Sequence, residues 1–418
     1  MSGVARSTLV EKLFERTRIA RLADGLAIAS AVTLPWSVTL SSVAIAMWFF
    51  AVWPTLDWAG LRRSFSIPAG ALPALLGLLA IAGMAWSDAE RGEQFGSIKI
   101  FARLAIIALL FVQFQRSERG PWVAGAFLAS CTLLLAVSWL LWLFPALRWS
   151  DKPPGVPVKD YIVQSGEFLI CAFALAHLSL DAWRRAERPS ALALGLLALA
   201  FLANIGYVAS GRATLVTLVA LLLLFVFQRF GWKHGLGIMT LAAVLFAAVW
   251  MSSPYLRTRV LAIVQEIHDY RTKSAETSSG YRLEFWTRSI AIISQAPIIG
   301  HGTGSQRDQF RHAAGASEGI AAAVTDNPHN QTLFVAIQFG ALGTMLLYAM
   351  WLAHLMLFRG DGLVPWLGTA LVVQNIVGGL FNASLLEFTF GWIYIFGVGV
   401  FGGMMLRARR SGGADRRG

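Results

Sequence analysis

Charge is what this sequence has least of. Asp, Glu, Lys and Arg make up 14% of its 418 residues, against 56% hydrophobic. Soluble domains average about 25% charged, so a soluble enzyme is excluded and an integral membrane protein is expected. Cysteine is nearly absent. Cys131 and Cys171 each fall inside an apolar run, with no partner at metal or redox spacing. That excludes a disulfide framework, a zinc cluster and a dithiol centre, and both read as packing residues. No two histidines stand at metal-ligand spacing and no Asp-x-Asp offers a divalent-cation site. A Walker-type glycine loop, Ser-x-x-Lys and Gly-x-Ser-x-Gly are also missing. No metal and no other cofactor is therefore expected. No internal repeat or linker separates a second domain, and no cleavable leader is expected at the basic residues 1–22. The net charge of +12 predicts orientation in a membrane and contact with anionic lipid, not nucleic acid.

What the sequence has instead is apolar windows of about 20 residues, the length of a spanning helix. About twelve are expected, at 23–38, 40–56, 67–86, 97–114, 121–146, 164–182, 190–209, 212–230, 234–253, 328–357, 363–383 and 387–407. Tryptophans 36, 58, 86, 122, 183 and 232 lie near their ends, where indole rings settle at the membrane boundary. With the N-terminus in the cytoplasm, the inner side collects Arg62, Arg63, Arg116, Arg119, Arg184, Arg185, Arg188 and the basic tail after Arg407. The outer short loops hold far fewer, so both termini are expected inside. The chain divides into spans 1–9 over residues 1–253, an outer loop over 254–327, and spans 10–12 with a cytoplasmic tail over 328–418. The loop is partly helical: "YLRTRVLAIVQEIHDY" and "YRLEFWTRSIAIISQ" both repeat at helical spacing, and "PIIGHGTGSQ" after them is a glycine-rich turn.

Four polar groups interrupt this pattern on the outer side. In "TDNPHNQTLF", Asn327 can cap a helix and Pro328 suits its first turn, which puts His329 on the first turn of the tenth span, with Asn330 after it. In "SGYRLEFWTRSI", Glu284 and Arg288 are four apart and can pair, leaving Arg282 without a local partner. Arg212 follows Ser210-Gly211 at the outer mouth of the eighth span, against the charge bias. His301 lies between two glycines. Each group alone also fits a structural part: a boundary histidine, a solvated helix face, a lipid anchor or a turn. Glu167, Lys159-Asp160 and Glu387 sit at other outer span boundaries. Arg212, the Arg282/Arg288 helix, His301 and His329 are expected on one face of the membrane, as a site for an anionic headgroup with proton chemistry beside it requires. Arginines hold pyrophosphate through charge-assisted, often bidentate bonds, and histidine is a suitable general base.

This combination resembles the O-antigen ligase family, WaaL, within a superfamily that includes O-antigen polymerases and bacterial protein oligosaccharyltransferases. The matching residues are Ser210-Gly211-Arg212-Ala213, Arg282 with Trp286, Pro297 and Gly300-His301-Gly302, His329-Asn330 with Leu333, and Phe339-Gly340-Ala341-Leu342-Gly343. The resemblance implies an all-α polytopic membrane protein of the GT-C glycosyltransferase type, with one long periplasmic loop. It implies transfer of O-antigen polysaccharide from undecaprenyl pyrophosphate to a sugar hydroxyl of lipid A–core oligosaccharide, at the periplasmic face of the inner membrane, with inversion and without metal. The family's histidine matches His329 as the catalytic base. Its span-mouth arginine matches Arg212, and its loop arginine matches Arg282, with Arg288 as a further pyrophosphate contact. His301, Asn330 and Glu284 are supporting or substrate-binding candidates.

Other readings stay open. A polymerase of this superfamily, or a protein oligosaccharyltransferase, shares the core and differs in acceptor. A transporter of polyprenyl-linked sugars would need two related halves with broken helices near the midplane, and no such duplication is visible.

Overall fold

The computed structural model describes residues 2–230 and 232–414. Among them every regular element is helical. In chain order the helices are α1 (Ser2–Thr33), α2 (Val38–Val52), α3 (Trp58–Phe65), α4 (Pro68–Ala82), α5 (Arg91–Ala102), α6 (Ile106–Phe114), α7 (Gly120–Leu143), α8 (Tyr161–Arg184) and α9 (Arg188–Tyr207). They continue as α10 (Arg212–Arg229), α11 (Trp232–Ser252), α12 (Pro254–Lys273), α13 (Ser278–Gln295), α14 (Gln306–Ala314), α15 (Gln331–Leu357), α16 (Leu363–Gly379) and α17 (Phe388–Ala414).

Among the described residues, ten segments are long and apolar enough to cross a membrane. The protein is an all-α, multi-pass membrane protein. Two of the twelve expected spans fall short of that measure. The first is the apolar end of α1, which continues a basic segment as one helix; the second is α16, a shorter apolar helix. The expected span at 97–114 is one crossing made of α5 and α6, joined through a tight 3-10 turn at Arg103–Ala105.

Local chemistry sets the ends. Ser37 caps α2, Asp57 caps α3, Asp160 caps α8 through the amides of Ile162 and Val163, and Ser253 before Pro254 caps α12. Each supplies an oxygen to an amide that the first helical turn leaves unpaired. In the core, α17 presses on α6 through small residues. A Cβ on Gly399 would stand 2.5 Å from Leu110, and one on Gly403 would stand 2.7 Å from Phe114. Lipid gives helices no hydrophobic reason to associate, so such close approach supplies the attraction through dispersion contacts.

The glycine-rich turn has a structural partner. α15 is broken at Gly340 (φ 57°, ψ −148°). An unbroken helix would bond the amides of Ala341 and Leu342 to the carbonyls of Ile337 and Gln338. Here those amides donate to Pro297 O (2.8 Å) and Ile298 O (3.1 Å), while His301 N–H and Gly302 N–H donate to the Ile337 and Gln338 carbonyls (both 2.9 Å). The Gln338 side chain adds an acceptor for Gly304 N–H at 2.7 Å and the Ser97 hydroxyl at 2.5 Å. A Cβ on Gly340 would meet Ile298 at 2.5 Å, and one on Gly300 would meet Gln338 at 2.4 Å. The two glycine-containing motifs therefore form one interlocked joint that fixes the first half of α15.

Candidate active site

α8, α10, α15 and α17 all begin at one end of the bundle, and α13 lies across it. The N-terminus of α10 has Gly211 at its cap, with no side-chain oxygen on its amides. Arg212 stands on the first turn. Its guanidinium forms a bidentate pair with Glu266 of α12, at 2.7 and 2.5 Å, and donates to Ser279 Oγ of α13 at 3.0 Å. Ser279 returns its amide and hydroxyl to the same carboxylate. These bonds hold the Glu266 carboxyl down at about 2, the Arg212 bond being the largest cause.

Arg282 lies one turn further along α13. It is partly buried and makes no hydrogen bond or ion pair within the protein among the described residues. Burial first, and then the Arg212 cation, push its guanidinium below its ordinary value. Arg288 differs. Its Nε faces Glu284 at 2.9 Å, and its two terminal nitrogens donate to the carbonyls of Ala323 (2.9 Å) and Ile320 (3.0 Å). Glu284 also accepts the Tyr270 hydroxyl at 2.7 Å. This buried arginine ties the loop to α13 through both terminal nitrogens.

The start of α15 differs from expectation. The cap is Asn330, whose Oδ1 accepts the amides of Thr332 (2.9 Å) and Leu333 (3.1 Å), and α15 begins at Gln331. His329 is therefore outside the helix, in a left-handed conformation (φ 53°). Asn327 does not cap α15. Its Oδ1 accepts the His329 amide at 2.9 Å, an Asx turn that lifts the imidazole away from the helix axis. Asn330 is committed at both ends of its side chain, since Nδ2 donates to Leu380 O at 3.1 Å.

The His329 ring stacks loosely on Phe285 of α13, with centroids 6.4 Å apart. Its Nδ1 is 3.1 Å from Asn382 Oδ1, in the turn between α16 and α17. Burial pushes the His329 imidazole below its ordinary 6.5; the Asn382 bond opposes this, and the Arg282 cation adds to it. This direction favours the neutral ring, the form in which it can act as a base. The field of Arg282 reaches both Arg212 and His329, so the unpaired cation is near each of them. A cleft beside them is lined by Ala213 and Thr214 of α10, Gln374 of α16, and Asn382 and Ser384; Arg212, Arg282 and His329 are not in its lining.

His301 stands apart. Its Nε2 donates to Ile292 O at 2.9 Å, its amide serves the Gly340 joint, and no contact among the described residues links it to Arg212, Arg282 or His329. Three polar partners were not singled out from the sequence: Glu266, Ser279 and Asn382. Asn382 sits in the polar turn "NASLLE" between two apolar spans, where an asparagine reads as an ordinary turn residue.

An unpaired cation beside a paired one, next to a neutral imidazole, can neutralise an anionic leaving group and accept a proton. Residues 197–348 match the family model described as O-antigen ligase. The match supports the O-antigen ligase/polymerase superfamily, whose members are glycosyltransferase-like enzymes. It runs from α9 through the first half of α15 and beyond the Gly340 joint, so it contains Arg212, Arg282 and His329 but ends before Asn382. No curated protein matches the chain.

Proposed function

We propose that this protein is an O-antigen ligase. It transfers O-antigen polysaccharide from undecaprenyl pyrophosphate to a sugar hydroxyl of lipid A–core oligosaccharide, at the periplasmic face of the inner membrane. The observation that carries the reading is Arg282, without an internal partner among the described residues, near both the Glu266-paired Arg212 and His329.

The acceptor hydroxyl oxygen forms the new bond to the donor's anomeric carbon, from the face opposite pyrophosphate. The bond from that carbon to the pyrophosphate oxygen breaks, and its electron pair leaves with the lipid pyrophosphate. The hydroxyl proton goes to His329 Nε2, and the imidazolium later releases it to water. One displacement inverts the anomeric centre and needs one base, unlike hydrolysis by paired carboxylates. Arg282 meets the charge that grows on the leaving group, and Arg212 adds to the positive field, so charge neutralisation needs no metal. Arg288 holds the loop in place.

Purified protein in detergent, given both lipid-linked substrates and no membrane gradient, is the test. Expected is polysaccharide on lipid A–core, lost in His329→Ala. Lengthening of the lipid-linked donor instead would make the protein a polymerase. Absence of any glycosidic product, with movement of the lipid-linked sugar in vesicles, would make it a transporter.

A further inference from the structure

His329 is the first member of a row of side chains that ends on a carboxylate. Its Nδ1 is 3.1 Å from Asn382 Oδ1, and Asn382 Nδ2 donates to Glu387 Oε1 at 3.3 Å. The polarity of this row is set by groups whose roles are unambiguous. Burial raises the Glu387 carboxyl above its ordinary value; in its ionised form it only accepts, which turns the Asn382 amide nitrogen to Glu387 and its oxygen to the imidazole. Asn327 imposes the same answer from the other side. Its oxygen accepts the His329 amide, so its Nδ2 points at Asn382 Oδ1, 3.2 Å away. An oxygen facing Nδ1 requires the hydrogen on Nδ1, and Nε2 is left with the free lone pair.

The turn that carries Asn382 is braced by three side chains, two from the start of α15 and one from the turn between α5 and α6. Asn330 Nδ2 holds Leu380 O, Gln331 Oε1 accepts the Leu385 amide at 2.8 Å, and Arg103 donates to the carbonyls of Leu385 and Glu387. His329 itself keeps a positive φ that costs a non-glycine residue free energy. A structure that spends strain on one imidazole and braces its partner so heavily fixes the ring's orientation.

We infer that Asn382 and Glu387 are positioning residues: they lock the His329 tautomer with Nε2 free, and they stabilise the imidazolium formed when Nε2 takes the acceptor proton. This rests on the reading of His329 as the base. No proton leaves Nδ1 in the process. The Nδ1–H bond to Asn382 strengthens as the ring becomes charged, and the Glu387 charge polarises the amide that receives it. The charged groups facing His329 are Arg282 from α13, Asp326 in its own loop and Glu387 through Asn382, and Glu387 in turn faces Arg103 and Asp160.

The test uses full-length protein in detergent with three readouts: donor KM against kcat, the pH profile of kcat, and 15N shifts of the histidine rings. Asn382→Leu should lower kcat roughly 10- to 100-fold, the worth of a hydrogen bond to a charged group, with donor KM unchanged and the acid limb moved to lower pH. Glu387→Gln keeps an acceptor for Asn382 but removes the charge, so it should move the acid limb the same way with a smaller loss. Asn382→Asp alone sets two carboxylates side by side and should be poor. Adding Glu387→Gln to it restores a donor to that position, so the double variant should recover activity and move the acid limb to higher pH. The 15N spectrum should show the Nδ1–H tautomer for His329 in the wild type and a tautomer mixture in Asn382→Leu; the signal is assigned by its loss in His329→Ala. Should Asn382→Leu fail to fold, the Asn382→Asp, Glu387→Gln and double variants complete the test. An unchanged pH profile with no recovery in the double variant overturns the relay, as does an Nε2–H tautomer in the wild type. Full activity of His329→Ala would instead remove the base itself.

Discussion

Two arginines on α13, Arg282 and Arg288, stand six residues apart and should fail in different ways when each is replaced by alanine. Arg288 has three internal partners, Glu284, Ala323 O and Ile320 O, and its side chain is 10% exposed. Truncation leaves two carbonyls without their donor and Glu284 without its cation. Breaking a buried pair in this way costs about 3–5 kcal/mol; Glu284 is 17% exposed and keeps the Tyr270 hydroxyl, which favours the lower end. Arg282→Ala breaks no internal bond and relieves repulsion with Arg212, so stability should hold. Its loss should appear in turnover, by about 10²–10³-fold, as for other donors aimed at developing charge. The assay is a thermal unfolding midpoint in detergent beside the rate of polysaccharide transfer, measured well below both midpoints. A stable but inactive Arg288→Ala, together with an active Arg282→Ala, would refute the division of roles.

Four further outcomes are expected. His329→Gln can hydrogen-bond but takes no proton at neutral pH, so it should lose about 10²–10⁴-fold in transfer; near-normal turnover would remove the base assignment. Because burial holds the His329 pKa below its ordinary 6.5, the acid limb of the kcat/KM profile should have its midpoint below pH 6.5, as the ring binds a proton and ceases to be a base; a midpoint above 6.5 would contradict this. Gly340→Ala puts a side chain at φ 57° with its Cβ 2.5 Å from Ile298; the backbone strain alone costs about 1–3 kcal/mol and the clash adds to it, so the midpoint in a thermal melt should drop clearly, and an unchanged midpoint would mean that the joint tolerates a continuous helix. A chelator should leave transfer unaffected, since arginines supply the charge; loss of activity restored by magnesium or manganese would show that they do not.

The helices were legible because apolar length and helical spacing are properties of short windows. The start of α15 was not. From the sequence, Asn327 reads as the cap and Pro328 as the first turn, although Asn330 is the same residue type and can cap as well. Tertiary bonds decide: Asn327 is drawn to Asn382 and the His329 amide, and Asn330 to Leu380. The distinction between Arg282 and Arg288 could be read in advance, because Glu284 is an i,i+4 partner of one and not of the other. The carbonyls that occupy Arg288 could not, since they lie 32 and 35 residues away. Asn382 was invisible for the same reason. It is 53 residues from His329, and only the approach of the α16–α17 turn to the loop gives it a role. The Gly300 and Gly340 motifs were each visible, but that one supplies the hydrogen bonds the other breaks appears only in three dimensions.

The arrangement of charge bears on which arginine does catalytic work under the proposed reading. A donor's lipid pyrophosphate already carries negative charge when it binds, and it gains one more unit as the bond to the sugar breaks. Only interactions that strengthen during that step accelerate it. Arg212 is bound at both terminal nitrogens to Glu266, so most of its capacity is spent before any substrate arrives. Its contribution is a fixed field, largely offset by the Glu266 carboxylate, so it gains less than an unpaired cation as the leaving group's charge grows. Arg282 has no internal acceptor to give up and is pressed by a neighbouring cation. Every hydrogen bond it forms is gained from the ligand, and each grows as the oxygen it meets becomes more negative. The Glu266 pair keeps two guanidinium groups from repelling one another apart while the site is empty, which lets α10 and α13 hold their separation without reorganising when the donor binds. Preorganisation of that kind, rather than the number of arginines, is what a metal-free departure of pyrophosphate requires.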